Sequence, residues 1–231
     1  MELIAIKSCL RDVPKNIIQW EQWGHRAFSD KDIKFFYGDA GYEVEGGIIL
    51  PGVGDDYMSL SYKTQAIVNW ALERNYTALH IVDSDVYLRP EFIKCLGDYT
   101  GCKSPYSANA WGMCYSLTQK CMELIATAPV TDKMEDVWVG KVLFGAGIEL
   151  TQDPNRHWIM RVGGHIGRDW SVLTKDFVSV GELDAREMQE FHQHVIHGTY
   201  LSIPSGPRRM RGPASAMPEA PRPRKGHFKE E

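Results

Sequence analysis

His80-Ile81-Val82-Asp83-Ser84-Asp85-Val86-Tyr87-Leu88-Arg89-Pro90 is the stretch that organises the rest of the chain. Leu79, Ile81 and Val82 are apolar and lead straight into two carboxylates separated by one serine. Side chains alternate along a strand, so Asp83 and Asp85 are expected to project together from the end of a buried one. Open α/β sheets take ligands in the crevice beyond the carboxyl ends of their strands. Two acids placed there suit a hard divalent cation that bridges to phosphate oxygens. An Asp-x-Asp triplet alone also fits a solvated loop, so its surroundings must decide.

Upstream, Glu2–Ser8 has the pattern of a buried first strand, followed by a loop containing Pro14. Ile17–Phe28 has helical spacing, Asp32–Tyr37 is expected as a second strand ended by Gly38-Asp39, and a glycine-rich loop runs to Gly54. Tyr57–Asn75 predicts a long helix, because Leu60, Thr64, Ile67, Val68, Ala71 and Leu72 fall on one face. Ala78–Val82 is the strand that delivers the acid pair. Beyond it, Glu91–Leu96 is expected to be helical, Ala110–Leu117 a strand, and Thr118–Ala126 a helix with Thr118 as its cap. Met134–Gly147 predicts a last helix with two acids at its start and Gly147 as its stop. Strands alternating with helices imply an α/β domain, a mainly parallel sheet flanked by helices.

The chain has 231 residues, 43% hydrophobic and 24% charged, which suits one sizeable globular domain. A formal net charge of −4 gives no overall signature of nucleic-acid binding. The composition shifts at Pro204: proline, arginine and lysine replace large apolar residues, and basic side chains outnumber acids by four. Such a segment cannot bury enough surface to offset its ordering entropy, so 1–203 is expected to be the folded domain and 204–231 a disordered tail. That tail either solubilises the chain or touches an acidic surface. The five cysteines, Cys9, Cys95, Cys102, Cys114 and Cys121, show no CxxC pair and are expected to be free, mostly buried thiols. Residues 1–10 are too short and too soon interrupted to be a signal peptide, and no apolar run approaches the ~20 residues that span a bilayer. A cytoplasmic protein of bacterial or viral source is expected.

Three motifs occur in order: Asp55-Asp56-Tyr57-Met58-Ser59-Leu60-Ser61-Tyr62-Lys63-Thr64, then Asp83-Ser84-Asp85, then Met134-Glu135-Asp136-Val137-Trp138-Val139-Gly140 with Ala146-Gly147-Ile148 behind it. Together they resemble the β-1,3-galactosyltransferase, β-1,3-N-acetylglucosaminyltransferase and Fringe family of glycosyltransferases. That family reads D-x-Y-x-N-L-T-x-K-T, Asp-x-Asp and E-D-V-x-V-G in the same order. Weaker agreement at Leu3–Ser8, Trp23-Gly24, Arg156-His157-Trp158 and Phe177–Met188 extends the likeness over about residues 2–200. The resemblance implies a GT-A fold binding a UDP-sugar against Mn²⁺ or Mg²⁺. It makes Asp85 the main metal ligand, with Asp83 contacting metal or ribose. It also places Ser8, Lys63 and Ser84 about the nucleotide, although a lysine such as Lys63 is equally at home on a solvated helix face. Asp136 becomes the base that takes a proton from the acceptor hydroxyl; an acid there would also suit a plain helix N-terminus.

Two positions depart from the family. Its histidine ligand lies in a V-I-T-x-H-like segment, and here Phe177-Val178-Ser179-Val180-Gly181 ends in a residue with no side chain. His165 is the substitute expected as a metal ligand, with His192, His194 and His197 as another source. At Ala110–Thr118, Cys114 replaces the second glycine of a G-x-G-[YF] core. The expected activity is metal-dependent, inverting transfer of a hexose or N-acetylhexosamine from a UDP-sugar to a glycan, protein or other hydroxyl acceptor. The rival is a catalytically silent nucleotide-sugar-binding protein on the same fold. A nucleotidyltransferase would need a basic, glycine-rich phosphate loop, which Met1–Trp23 lacks.

Overall fold

The computed structural model describes residues 1–25, 28–41, 43–104, 107–158, 161–162, 167–168, 170, 173–203 and 206–207. Leu3, Ile4, Ala5 and Ile6 are wholly buried in β1 (Glu2–Lys7). A strand apolar on both faces needs cover on both, and β1 accordingly lies in the interior of a sheet. Helix α1 (Val13–Gln19) begins before the expected Ile17 because Pro14 lies in its first turn, where a missing N–H has no partner to lose. It continues as a wider π turn, Trp20–Gly24, in which the His25 N–H reaches the Trp20 carbonyl at 3.0 Å.

β2 (Lys31–Gly38) forms as expected, but the loop after it holds a further strand, β3 (Gly47–Leu50). Its apolar run Ile48-Ile49-Leu50 pairs in parallel with Phe36, Tyr37 and Gly38, a signal that the surrounding glycines mask in the sequence. Helix α2 (Leu60–Glu73) is entered through a 3₁₀ turn at Tyr57–Ser59, where the Asp56 side chain accepts from the Ser59 N–H. It stops at Asn75, which takes a left-handed φ of 58°. β4 (Ala78–Asp83) follows, then the short β5 (Tyr87–Leu88).

Residues 91–96 are not helical. The segment between Pro90 and Gly97 makes one turn, with the Phe92 N–H on the Arg89 carbonyl. The Leu96 and Gly97 N–H groups are then taken by the Thr100 hydroxyl, so no helical ladder can continue. After β6 (Tyr99–Lys103) and β7 (Ala110–Thr118) comes α3 (Gln119–Thr127). Thr118 stands at its N-cap but does not cap it, because its hydroxyl donates to Asp98. Helix α4 (Glu135–Gly145) ends at Gly147, with φ of 74° and the Ile148 N–H folded back onto the Leu143 carbonyl. The chain closes through β8 (Leu150–Gln152), β9 (Arg156–Trp158), β10 (Arg161–Val162), β11 (Gly167–Arg168), β12 (Ser179–Gly181), α5 (Ala185–Ile196) and β13 (Gly206–Pro207). Apart from Gly206 and Pro207, which pair with β11, the expected tail 204–231 lies outside the described residues.

Seven strands form the main sheet in the order β3-β2-β1-β4-β7-β6-β8. Every neighbouring pair is parallel except the two that involve β7. The mixed α/β architecture, a largely parallel sheet with helices on both faces, therefore agrees with the sequence pattern. Strand alternation divides the core. Leu3, Ala5, Leu79 and Ile81 pack with residues of α2, α3 and α4 on one face. Ile4, Ile6 and Val82 pack with Ile18, Trp23, Met188 and Phe191 on the other. Small sheets β10-β11-β13 and β5-β12-β9 complete the fold. The chain steps outward from β1 to β2 and β3, then crosses through α2 to β4 on the other side of β1. That reversal opens a crevice at the carboxyl ends of β1 and β4.

Candidate functional site

The period of two that divides the core also sorts the crevice. Lys7 and Asp83 are register partners at the ends of β1 and β4, and their parity turns both toward α4. Lys7 is only 5% exposed, and its ammonium lies 3.2 Å from Asp83 Oδ1 and 2.8 Å from Glu135 Oε2. Ser8 and Ser84 have the opposite parity and face α1 and the short turn before it. The Ser8 hydroxyl donates to Asn16 Oδ1, and the Ser84 hydroxyl donates to Asp12 Oδ2 at 2.6 Å. Both serines are buried, with their hydroxyls engaged by protein.

Glu135 is the hub of the α4 side. The Thr64 hydroxyl donates to its Oε1 at 3.0 Å, and the Tyr115 hydroxyl donates to the same oxygen. With Lys7 on the other oxygen, both carboxylate oxygens of this buried side chain are satisfied. Asp136 follows it at the helix N-terminus, half-buried, accepting from the Val137 N–H at 2.9 Å. Burial, and then the charge of Glu135, raise the proton affinity of Asp136 above that of an ordinary carboxylate. Gly112 of β7 leaves space for it: a β-carbon there would stand 3.3 Å from the Asp136 β-carbon.

β4 ends at Asp83, and the Val86 N–H turns back onto the Asp83 carbonyl at 3.2 Å. Asp85 is therefore in a turn, and the two acids keep different company. Asp83 retains 35% side-chain exposure, yet the crowding of the crevice, with Asp85 and Glu135 adding to it, raises its proton affinity against the pull of Lys7. Asp85 is raised as well, first by burial and then by Glu182 and Asp12, with Lys15 opposing. Asp12 goes the other way: burial works against its charge, but the Ser84 hydroxyl and the Lys15 ammonium hold it below the usual range.

Lys63 is not a solvated helix lysine. It is 1% exposed and donates to the Ser8 carbonyl at 2.6 Å and to Asp55 Oδ1 at 2.9 Å. Asp55 also accepts from the Gly38 N–H at 2.8 Å and the Leu10 N–H at 2.7 Å. One ion pair thus ties the ends of β1 and β2 to the start of α2 and fixes the floor of the crevice. Between Lys63 and the Asp83 carboxylate there is no direct bond.

Gly181 cannot be given the missing histidine without moving its neighbour, because a β-carbon there would collide with the Met113 thioether. Glu182 next to it takes a left-handed φ of 61°, and the Leu183 N–H bonds the Asp85 carbonyl at 2.8 Å. His165 lies outside the described residues. His192 stands on α5 with its Nδ1 2.7 Å from the Tyr87 hydroxyl, and His194 lies 3.0 Å from the Thr199 hydroxyl. Among the described residues no three His, Cys, Asp or Glu side chains are gathered to hold a metal ion. Asp83 and Asp85 nonetheless both offer carboxylate oxygens, the donor type that a hard divalent cation takes, and Asp83 keeps 35% of its side chain exposed. Cys114 is a buried free thiol, packed with Val82 and 3.8 Å from the Arg156 guanidinium. Cys121 is also buried, and Cys9, Cys95 and Cys102 are half-buried free thiols.

Sequence reading missed Lys7, Glu135 as a hub, Tyr115, Asn16 and Asp12. The signal for Lys7 was present: a lysine closing a wholly apolar strand must find an anion or leave the fold. Tyr115, Asn16 and Asp12 carry no local signature, since only the strand order brings them to the crevice.

No protein-family model matches the sequence, and no curated protein matches it either. Among solved structures, one similar fold is a glycosyltransferase involved in the glycosylation of the major capsid of PBCV-1, 15% identical, aligned over 83% of this chain and 99% of its own with a TM-score of 0.46. Another is described as a nucleotide-diphospho-sugar transferase from Desulfovibrio desulfuricans G20, 10% identical over 66% of this chain and 79% of its own, with a TM-score of 0.43. Both scores fall below one half, so strand order and crevice geometry carry the functional reading. No helix among the described residues is long and apolar enough to cross a membrane.

Proposed function

We propose that this protein is an inverting glycosyltransferase of the GT-A type that moves a hexose or N-acetylhexosamine from a UDP-sugar to a hydroxyl on a glycan, protein or other acceptor. One observation carries the reading. Asp83, at the end of β4, and Asp136, at the start of α4, are linked across the crevice by Lys7 and Glu135 at the point where the strand order reverses. Asp83 and Asp85 would hold a divalent cation, Mn²⁺ or Mg²⁺, whose charge offsets that of the departing diphosphate. Asp136, raised in proton affinity, accepts the proton of the acceptor hydroxyl as its oxygen bonds to the anomeric carbon. The bond from that carbon to the diphosphate breaks, and its electron pair leaves with the nucleoside diphosphate. Ser8, Ser84 and Lys63 shape the nucleotide side by holding the loops that face it.

UDP-sugar turnover with and without Mn²⁺, in the wild type and in Asp85→Asn and Asp136→Asn, tests the assignment. Loss of general-base action is expected to lower turnover about 10²–10⁴-fold in Asp136→Asn. Undiminished turnover in both variants would refute the roles. A silent nucleotide-sugar binder is the second reading, favoured by the Met113 side chain that fills the place of a third ligand beside Gly181. Metal-dependent UDP binding in calorimetry, without transfer or hydrolysis of any nucleotide-sugar, would favour it.

A further inference from the structure

Lys7 is a buried charge to which the roles assigned above give no chemical step. Lys7 has the Asp83 carboxylate on one side at 3.2 Å and Glu135 on the other at 2.8 Å. Glu135 is immobilised, because Thr64 and Tyr115 both donate to its second oxygen. Lys7 is held by that fixed partner and by its place at the end of β1. Asp83, with 35% of its side chain exposed, is the member of the trio that is open to the crevice. With a carboxylate on either side within 3.2 Å, Lys7 is held as the ammonium by its neighbours.

We propose that Lys7 is a resident counter-ion at Asp83 which a divalent cation must displace, so that the site takes up the cation together with a nucleoside diphosphate rather than before it. This rests on the metal role proposed for Asp83 and Asp85. An ammonium and a divalent cation sharing one carboxylate repel strongly in a crowded cleft, where the effective dielectric is well below that of water. The shorter contact to Glu135 gives the ammonium a place to remain when Asp83 turns to the cation. A diphosphate entering with the cation supplies the negative charge that lets both positive groups coexist. Without it, Asp85 is the one member of the pair not already bound to Lys7, and its own electrostatic neighbours include Lys15.

Electron paramagnetic resonance of free Mn²⁺ tests this without reference to turnover. Mn²⁺ is titrated into the wild type, Lys7→Gln and Lys120→Met, alone and with UDP, against a protein-free control for the Mn²⁺–UDP complex. Lys120 serves as the control for general charge, since it is 65% exposed and pairs with Asp98 at 2.9 Å. Expected is weak retention of Mn²⁺ alone by the wild type, retention tightened about tenfold in Lys7→Gln, and a change under about threefold in Lys120→Met. With UDP present the wild type and Lys7→Gln should converge. Equal affinities of the wild type and Lys7→Gln for Mn²⁺ alone, or an equal gain in Lys120→Met, would overturn the proposal while leaving the metal role intact. Retention by no form, with or without UDP, would overturn the metal role and this inference with it. Lys7→Met provides a second uncharged variant should Lys7→Gln fail to fold. Lys7→Arg, which keeps the charge, should bind Mn²⁺ as the wild type does, and a tighter site in that variant would also count against the idea.

Discussion

Lys63 on α2 reaches back to Asp55, ahead of its own helix, at 2.9 Å, and their side chains are 1% and 11% exposed. Removing one partner of such a pair strands the other charge away from water. Lys63→Met is therefore expected to cost about 3–5 kcal/mol of stability. Urea unfolding measures it, and a loss under about 1 kcal/mol would mean that the pair is already hydrated, like a surface bridge.

Gly112 faces the Asp136 side chain: a β-carbon there would lie 3.3 Å from the Asp136 β-carbon and 3.5 Å from Glu135 Oε2. A methyl group there presses on both acids. Gly112→Ala should lower turnover by about 10–100-fold, since misplacing a reacting group by an ångström costs about 10². Mn²⁺–UDP affinity should be unchanged. A fall in nucleotide affinity with normal turnover would place Gly112 on the donor side instead.

His80 predicts a pH dependence of folding. It is fully buried, and burial lowers its proton affinity from the reference value of 6.5. As neutral imidazole it donates through Nε2 to Glu2 at 3.0 Å and accepts the Ser116 hydroxyl on Nδ1 at 2.6 Å. The unfolded chain protonates first on acidification, so the contribution is present above pH 6.5 and is lost as pH falls below it. His157, also lowered by burial, acts in the same direction. Stability should fall by up to about 1.4 kcal/mol per pH unit for each such histidine until its folded-state value is reached. His80→Asn, though less stable throughout, should show a shallower slope between pH 7 and 5.5 in chemical denaturation. An unchanged slope would remove His80 from the account.

At Gly181, crowding by Met113 makes a definite coupling prediction. Gly181→Ala should destabilise by about 1–3 kcal/mol through overpacking. Shortening the neighbour, in Gly181→Ala with Met113→Ala, should cost less than the two single changes added together, as contacting sites do. Additive losses would show that the thioether swings aside freely.

Much of the sheet was legible because β1 is apolar from Leu3 to Ile6 and β4 is apolar up to Asp83 apart from His80, and α2 and α4 have apolar faces ended by Asn75 and Gly147. β3 was hidden among glycines, and 91–96 was misread because a short apolar stretch does not show whether Thr100 will claim its N–H groups. Within the crevice, Asp83, Asp85 and Asp136 were visible as motifs. Their sorting was not: Asp85 left the strand for a turn, and Lys7 met Glu135 across a separation of 128 residues. Contacts of that kind are set by strand order, which local pattern does not encode.

β7 runs against every other strand of the main sheet, and so offers the crevice its beginning where β1 and β4 offer their ends. The residues facing Asp136 are therefore preceded in the chain by the connection out of β6, while those around Asp83 lie on connections from other strands. Changes of length or composition in that one connection can remodel what approaches Asp136 and leave the surroundings of Asp83 as they were. Under the proposed roles, donor and acceptor preference are in this sense separately adjustable, each by its own piece of chain.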